Sequence, residues 1–119
     1  MDDTIVINGQ EYVRRGAEKL VYSVEGLPYV IVRSTGAGCH AGYLKSKTDH
    51  AVELLNSRRL WYWDGAASLS QLAAEGVKAP QNCKFPCVVP SIEIAGWCEI
   101  LPCTEKARQS ISEVPVWQR

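Results

Sequence analysis

The chain has 119 residues, 46% of them hydrophobic and 22% charged, and thirteen Lys plus Arg against thirteen Asp plus Glu give a formal net charge of zero. That length makes one domain able to bury roughly two thirds of its unfolded surface, and the charge balance argues against a sequence-independent grip on a long nucleic acid, so that any anion site is local. No apolar run approaches a membrane span and Met1-Asp2-Asp3 opens no leader, so a soluble cytosolic protein without membrane contact is expected.

Thr4-Ile5-Val6-Ile7, then Asn8-Gly9, then Gln10-Glu11-Tyr12-Val13-Arg14 spell a hairpin, because Asn-Gly supplies the positive φ angles of a type I′ turn. The hairpin belongs to an N-terminal extension over residues 1–27, leaving 28–119 as the core of a single domain. Tyr29-Val30-Ile31-Val32-Arg33 is a β-branched apolar run that reads as a central strand. The glycine-rich stretch after it, from Ser34 to Gly42, reads as a tight turn or bulge, with a phosphate-cradling loop as the alternative. Tyr43–Lys45 and Ala51–Leu54 flank the polar turn Ser46–His50 and form an antiparallel pair.

Asn56-Ser57-Arg58-Arg59-Leu60-Trp61-Tyr62-Trp63-Asp64-Gly65 is the most informative stretch. As a strand it places Arg59, Trp61 and Trp63 on one face and Arg58, Leu60 and Tyr62 on the other. A guanidinium beside flat rings suits a ligand that carries both a phosphate and a purine. Tryptophans that fill a small β core, with Arg stems lying over them, are the structural alternative.

Ser68-Leu69-Ser70-Gln71 has the capping-box form and opens a short helix that Gly76 stops. The loop from Lys78 to Pro86 supplies Asn82, Lys84 and Phe85, an amide, a cation and a ring. Ile92 to Leu101 alternates as a strand, with Ile92, Ile94, Gly96, Cys98 and Ile100 on one side and Glu93 and Glu99 on the other. Thr104 caps a polar helix from Glu105 to Ile111. Val114, Val116 and Trp117 then dock onto the sheet or onto another subunit. The fold class is therefore α+β, an antiparallel β-sheet with an N-terminal hairpin and two short helices.

Cys39, Cys83, Cys87, Cys98 and Cys103 are an odd set in a chain without an export signal, so reduced thiols are expected. The spacings Cys83 to Cys87 and Cys98 to Cys103, with His40 and His50, keep zinc as the alternative. No hydrolase elbow, zinc-protease helix or Walker loop is present, so binding, which needs only shape, rings and donors, is expected, with no cofactor, and an enzyme stays as the alternative.

Gly36, Arg59-Leu60-Trp61-Tyr62-Trp63, the loop Asn82-Cys83-Lys84-Phe85 and the ending Cys103-Thr104-Glu105-Lys106-Ala107 together resemble the phage Thoeris anti-defence sponges of the first described type. The likeness covers roughly residues 28 to 118 and omits the hairpin. It implies a phage protein in the host bacterial cytoplasm that binds a cyclic nucleotide immune signal, a cyclic ADP-ribose isomer or a related cyclic oligonucleotide, and does not cleave it. It also implies a homo-oligomer, dimer or hexamer, with ligand sites between subunits. The contacts it implies fall on Arg58, Arg59, Trp61, Trp63, Asn82 and Phe85. The competing readings are a small phosphodiesterase or nucleotide hydrolase, and an inhibitor that covers a host enzyme with its aromatic surface.

Overall fold

The computed structural model describes residues 4–7, 10–13 and 26–118. Strands β1 (Thr4–Ile7) and β2 (Gln10–Val13) pair antiparallel, with Ile7 opposite Gln10, as the hairpin reading expects. The Asn8-Gly9 turn and Arg14 lie outside the described residues.

The main sheet contains β3 (Tyr29–Ser34), β4 (Gly38–Lys47), β5 (Ala51–Arg59), β6 (Val88–Ala95) and β7 (Trp97–Pro102), all pairs antiparallel, in the order β6-β5-β4-β3-β7. The two outermost strands are joined by Gly96 alone. They are two halves of one strand, the first half bonded to β5 and the second to β3, so the sheet curls until its edges meet and closes as a small barrel. Closure needs a sharp bend, which Gly96 supplies at φ 68°. The bend is fastened on both sides, by the Gly96 amide on the His50 carbonyl at 2.8 Å and by Ser34 Oγ on the Ala95 carbonyl at 3.0 Å. The single alternating strand expected from Ile92 to Leu101 is thus two strands. Ile92, Ile94 and Ile100 do face the interior, whereas Cys98, the extra residue between the pairs Arg33–Glu99 and Ser34–Trp97, is exposed.

Inside the barrel Val30, Val32, Val52, Leu54 and Ile94 are buried, flanked by Leu44, Ile92, Trp97 and Ile100. Outside, helices α1 (Leu69–Glu75) and α2 (Glu105–Glu113) cover one wall, where Ile31, Ala41, Leu60, Leu72, Phe85 and Ile111 form a second core. Strand β3 is apolar on both sides because it belongs to both cores. Both helices begin as their sequences require. Ser68 Oγ accepts from the Gln71 amide at 3.1 Å, and Thr104 Oγ1 accepts from the Ala107 amide at 3.0 Å. Gln71 reaches back to the Ala67 amide at 2.8 Å, one residue before its expected capping-box partner.

A bulge in β5 sets the geometry of the functional region. Asn56 has φ 50°, and the pairing with β4 passes from Tyr43–Leu55 to Ala41–Arg58, two residues facing the one residue Gly42. The extra residue reverses the alternation along the strand. Leu54 packs inside the barrel, Ser57 is buried, Arg58 points to the helix wall, and the Arg59 guanidinium reaches the Ala37 carbonyl. Gly42 lies so close to the bulge that a Cβ there would stand 3.0 Å from Ser57 Cα.

Candidate functional site

The strand expected to carry the aromatic run ends early. β5 stops at Arg59, and only a Leu60 amide bond to Cys39 and an isolated Tyr62–Lys84 bridge continue the pairing. Arg59 and Trp61 flank the buried Leu60 and both emerge at the surface. Trp63 does not emerge with them. It is half-buried and packs against the helix-side core, because the chain has left the pleat by then.

Arg58 is enclosed, 2% exposed. Its Nε donates to the Pro86 carbonyl at 2.9 Å, Nη1 to Ile111 at 2.8 Å and Nη2 to Phe85 at 3.1 Å, with the guanidinium 5.5 Å from the centre of the Phe85 ring. Burial pulls its pKa below the usual arginine value. Phe85 is fully buried. These two residues, assigned to ligand by the resemblance, instead brace the wall: Arg58 ties the 85–86 segment and the last turn of α2 to the sheet. Asn82 is exposed, with Nδ2 donating to Asp64 Oδ2 at 3.0 Å. The structure therefore leaves Arg59 and Trp61 presented to solvent, Asn82 at the surface in a side-chain pair, and Arg58, Phe85 and Trp63 in structural contacts.

Three residues outside the expected set form an exposed cation–aromatic group of their own. The Lys84 ammonium lies 5.8 Å from the Tyr62 ring centre and 5.7 Å from that of Trp117. The C-terminal segment is held there by a parallel Phe85–Val116 bridge and by the Trp117 amide on the Phe85 carbonyl at 3.0 Å. Trp61 is 64% exposed, Tyr62 51%, Val116 50% and Trp117 37%, which is a large apolar display for a small domain. Lys84 and Trp117 are visible in the sequence as a loop cation and a terminal aromatic. Nothing in their spacing joins them, since the meeting depends on the chain end returning beside residue 85.

Arg59 gives one hydrogen bond, Nη1 to the Ala37 carbonyl at 2.8 Å, and the Nε2 of His40 meets the same carbonyl at 2.8 Å. His40 is the cross-strand partner of Arg59 and is buried; burial holds its imidazole below the usual histidine pKa, and the nearby guanidinium adds to that. The glycine-rich stretch resolves as the tight turn Thr35–Ala37 leading into β4, with the Ala37 amide on Ser34 Oγ at 3.3 Å.

Among the described residues no group of three or more His, Cys, Asp or Glu is placed to hold a metal. The expected cysteine pairs sit in unlike surroundings. Cys83 is buried and Cys87 exposed; the exposed Cys98 thiol has its pKa lowered chiefly by a 3.1 Å bond with Thr35 Oγ1, whereas burial pushes Cys103 up to about 12. No helix among the described residues is long and apolar enough to cross a membrane.

A family model described as a domain of unknown function (DUF6948) matches residues 27–111, the barrel and both helices up to the last turn of α2. No curated protein and no solved structure matches the chain.

Proposed function

Because the chain belongs to the family described as a domain of unknown function (DUF6948), we propose its role from the geometry of the site: it captures a cyclic nucleotide immune signal, a cyclic ADP-ribose isomer or a related cyclic oligonucleotide, and holds it uncleaved. In this reading it is a phage anti-defence protein acting in the host bacterial cytoplasm.

The observation that carries the proposal is that Trp61, 64% exposed and part of neither core, and Arg59, two residues before it, are both presented to solvent. The fold needs neither side chain for packing. A single bond to the Ala37 carbonyl orients the Arg59 guanidinium and leaves its remaining N–H donors free for phosphate oxygens. The indole offers a face on which a base stacks, worth about 1 to 3 kcal/mol. Lys84, Tyr62 and Trp117 add a second cation and two further rings.

Nanomolar capture requires about 12 kcal/mol in a preorganised site. An open surface covers only one side of a ligand, so the reading includes a homo-oligomer whose second subunit closes the site, a dimer or a hexamer. No residue is assigned a catalytic role. The exposed rings of Tyr62 and Trp117, joined through the Lys84 ammonium, favour a second reading, an inhibitor that presses this face onto a host protein.

Calorimetric titration with cyclic ADP-ribose and its isomers tests the proposal. Tight binding is expected, with Arg59→Ala and Trp61→Ala each weakening it about tenfold or more. Heating the complex should return intact nucleotide, whereas hydrolysis products would identify an enzyme. Unchanged affinity in both folded variants rejects the site.

A further inference from the structure

The turn Thr35–Ala37 ends on a carbonyl that two side chains share. Arg59 Nη1 and His40 Nε2 each lie 2.8 Å from the Ala37 oxygen. A carbonyl only accepts, so both nitrogens donate and the His40 proton sits on Nε2. The amide of the same residue is held as well, on Ser34 Oγ at 3.3 Å, and that hydroxyl gives its own proton to the Ala95 carbonyl at 3.0 Å. Ser34 and His40 are buried, 3% and 1% exposed, whereas Arg59 is exposed. Two sealed side chains thus fix the acceptor on which an exposed guanidinium rests.

His40 occupies a costly place for an imidazole. Its cross-strand partners are Val32 and Arg59, and Val32 belongs to the apolar barrel core. Cross-strand partners share a face, so an aliphatic side chain at 40 would fill the position without the desolvation that burial imposes on a polar ring. What the imidazole adds is its donor on Ala37. The orientation of the guanidinium follows. Nη1 is taken by the Ala37 oxygen and lies over Gly38, where an added Cβ would stand 4.0 Å from it. Nε and Nη2 make no hydrogen bond to any described residue. Together they are the side edge of the guanidinium, two parallel N–H groups spaced for two oxygens of one phosphate.

We propose that His40 is a positioning residue for Arg59: through the shared Ala37 carbonyl it holds the guanidinium with Nη1 inward, and the open Nε and Nη2 edge takes two oxygens of one phosphate group of the ligand. The bond to Ala37 stays in place throughout, so binding requires no rearrangement, and a phosphate meets Arg59 at the surface without entering the barrel. The inference rests on the nucleotide reading for the molecule that carries the phosphate, and on the His40–Ala37–Arg59 contacts alone for the positioning.

Nitrogen NMR spectra of the free protein test the positioning without any ligand. The Arg59 guanidinium, assigned by the loss of its signals in Arg59→Ala, should show distinct Nη1 and Nη2 resonances in the wild type, because a held Nη1 slows rotation, and a single averaged one in His40→Leu. His40→Val serves if leucine does not fit the barrel. Equally ordered signals in the folded variant overturn the positioning role. Calorimetry with cyclic ADP-ribose then reads its consequence. His40→Leu should weaken binding about threefold or more in the wild type and have no further effect in the Arg59→Ala background, since a residue acting through Arg59 loses its effect when Arg59 is gone. Arg59→Lys, a point charge without a fork, should bind within about threefold of Arg59→Ala. If cyclic ADP-ribose binds but His40→Leu weakens it equally in both backgrounds, or Arg59→Lys binds like the wild type, the inference is overturned and the nucleotide reading stands. If the Arg59 signals depend on His40 and cyclic ADP-ribose does not bind, His40 positions Arg59 and the nucleotide reading falls.

Discussion

Phe85 gives its carbonyl to Arg58 Nη2 at 3.1 Å while its ring lies 5.5 Å from the same guanidinium, so one residue serves the buried cation through both a lone pair and a π face. With the Pro86 and Ile111 carbonyls filling the other directions, Arg58 is satisfied by backbone and π contacts from elements that the sequence separates widely.

Arg58→Ala should therefore act on stability. It removes three hydrogen bonds and leaves three carbonyls to find new partners, at about 1 kcal/mol each, so a loss of roughly 3 kcal/mol is expected. Urea denaturation measures it. A variant as stable as the wild type would mean that the brace contributes nothing.

The two neighbouring tryptophans should part company. Trp61→Ala removes an exposed ring and should shift unfolding by no more than about 0.5 kcal/mol. Trp63→Ala removes a half-buried ring from the helix-side core and should cost roughly 2 kcal/mol, below the range for fully buried aromatics. Equal losses in thermal melts would contradict the placement of the two rings.

Gly42 and Gly36 lie near each other in sequence but not in constraint. A Cβ at Gly42 would stand 3.0 Å from Ser57 Cα and 3.2 Å from the Leu55 carbonyl oxygen, backbone that cannot swing aside, so Gly42→Ala should cost about 1 to 3 kcal/mol. Gly36 has nothing within 4 Å, and Gly36→Ala should be neutral or stabilising by up to about 0.5 kcal/mol. Comparing the two denaturation midpoints checks both halves.

Buried His40 should make the protein acid-sensitive. Its folded pKa is held below the unfolded value by burial, so above about pH 6.5 both states are neutral and the group is silent. As pH falls below that point the unfolded chain takes up a proton that the folded one resists, and stability declines by at most about 1.4 kcal/mol per pH unit for this one group. Melting curves between pH 7.5 and 5 should show the decline, and His40→Gln should flatten it. An unchanged slope in the variant would assign the acid sensitivity to other groups.

Much of the framework is legible in the residues themselves. The β-branched run at Tyr29–Arg33, the Ser68 and Thr104 caps and the alternating isoleucines at 92, 94 and 100 identify strands and helices through local forces: side-chain periodicity, φ preference and orphan amides at helix starts. These contacts span a few residues, so they can be read without knowing where the rest of the chain goes. The exposure of Arg59 and Trp61 around the buried Leu60 follows from the same alternation.

Whether an arginine at 58 faces a ligand or a core is not a local matter. One inserted residue at Asn56 reverses the faces of β5, and nothing in the residue types marks that bulge, because Asn takes a positive φ without needing glycine. Phe85 looks like any loop aromatic until Arg58, α2 and the chain end close over it, and Lys84 meets Trp117 only because Val116 pairs beside residue 85. The residues alone determined the elements and the chemical character of this chain, rings beside guanidinium groups with no net charge. Tertiary structure alone decided which of them are sealed and which are offered, since burial depends on contacts between distant segments and on a barrel that closes through a single glycine.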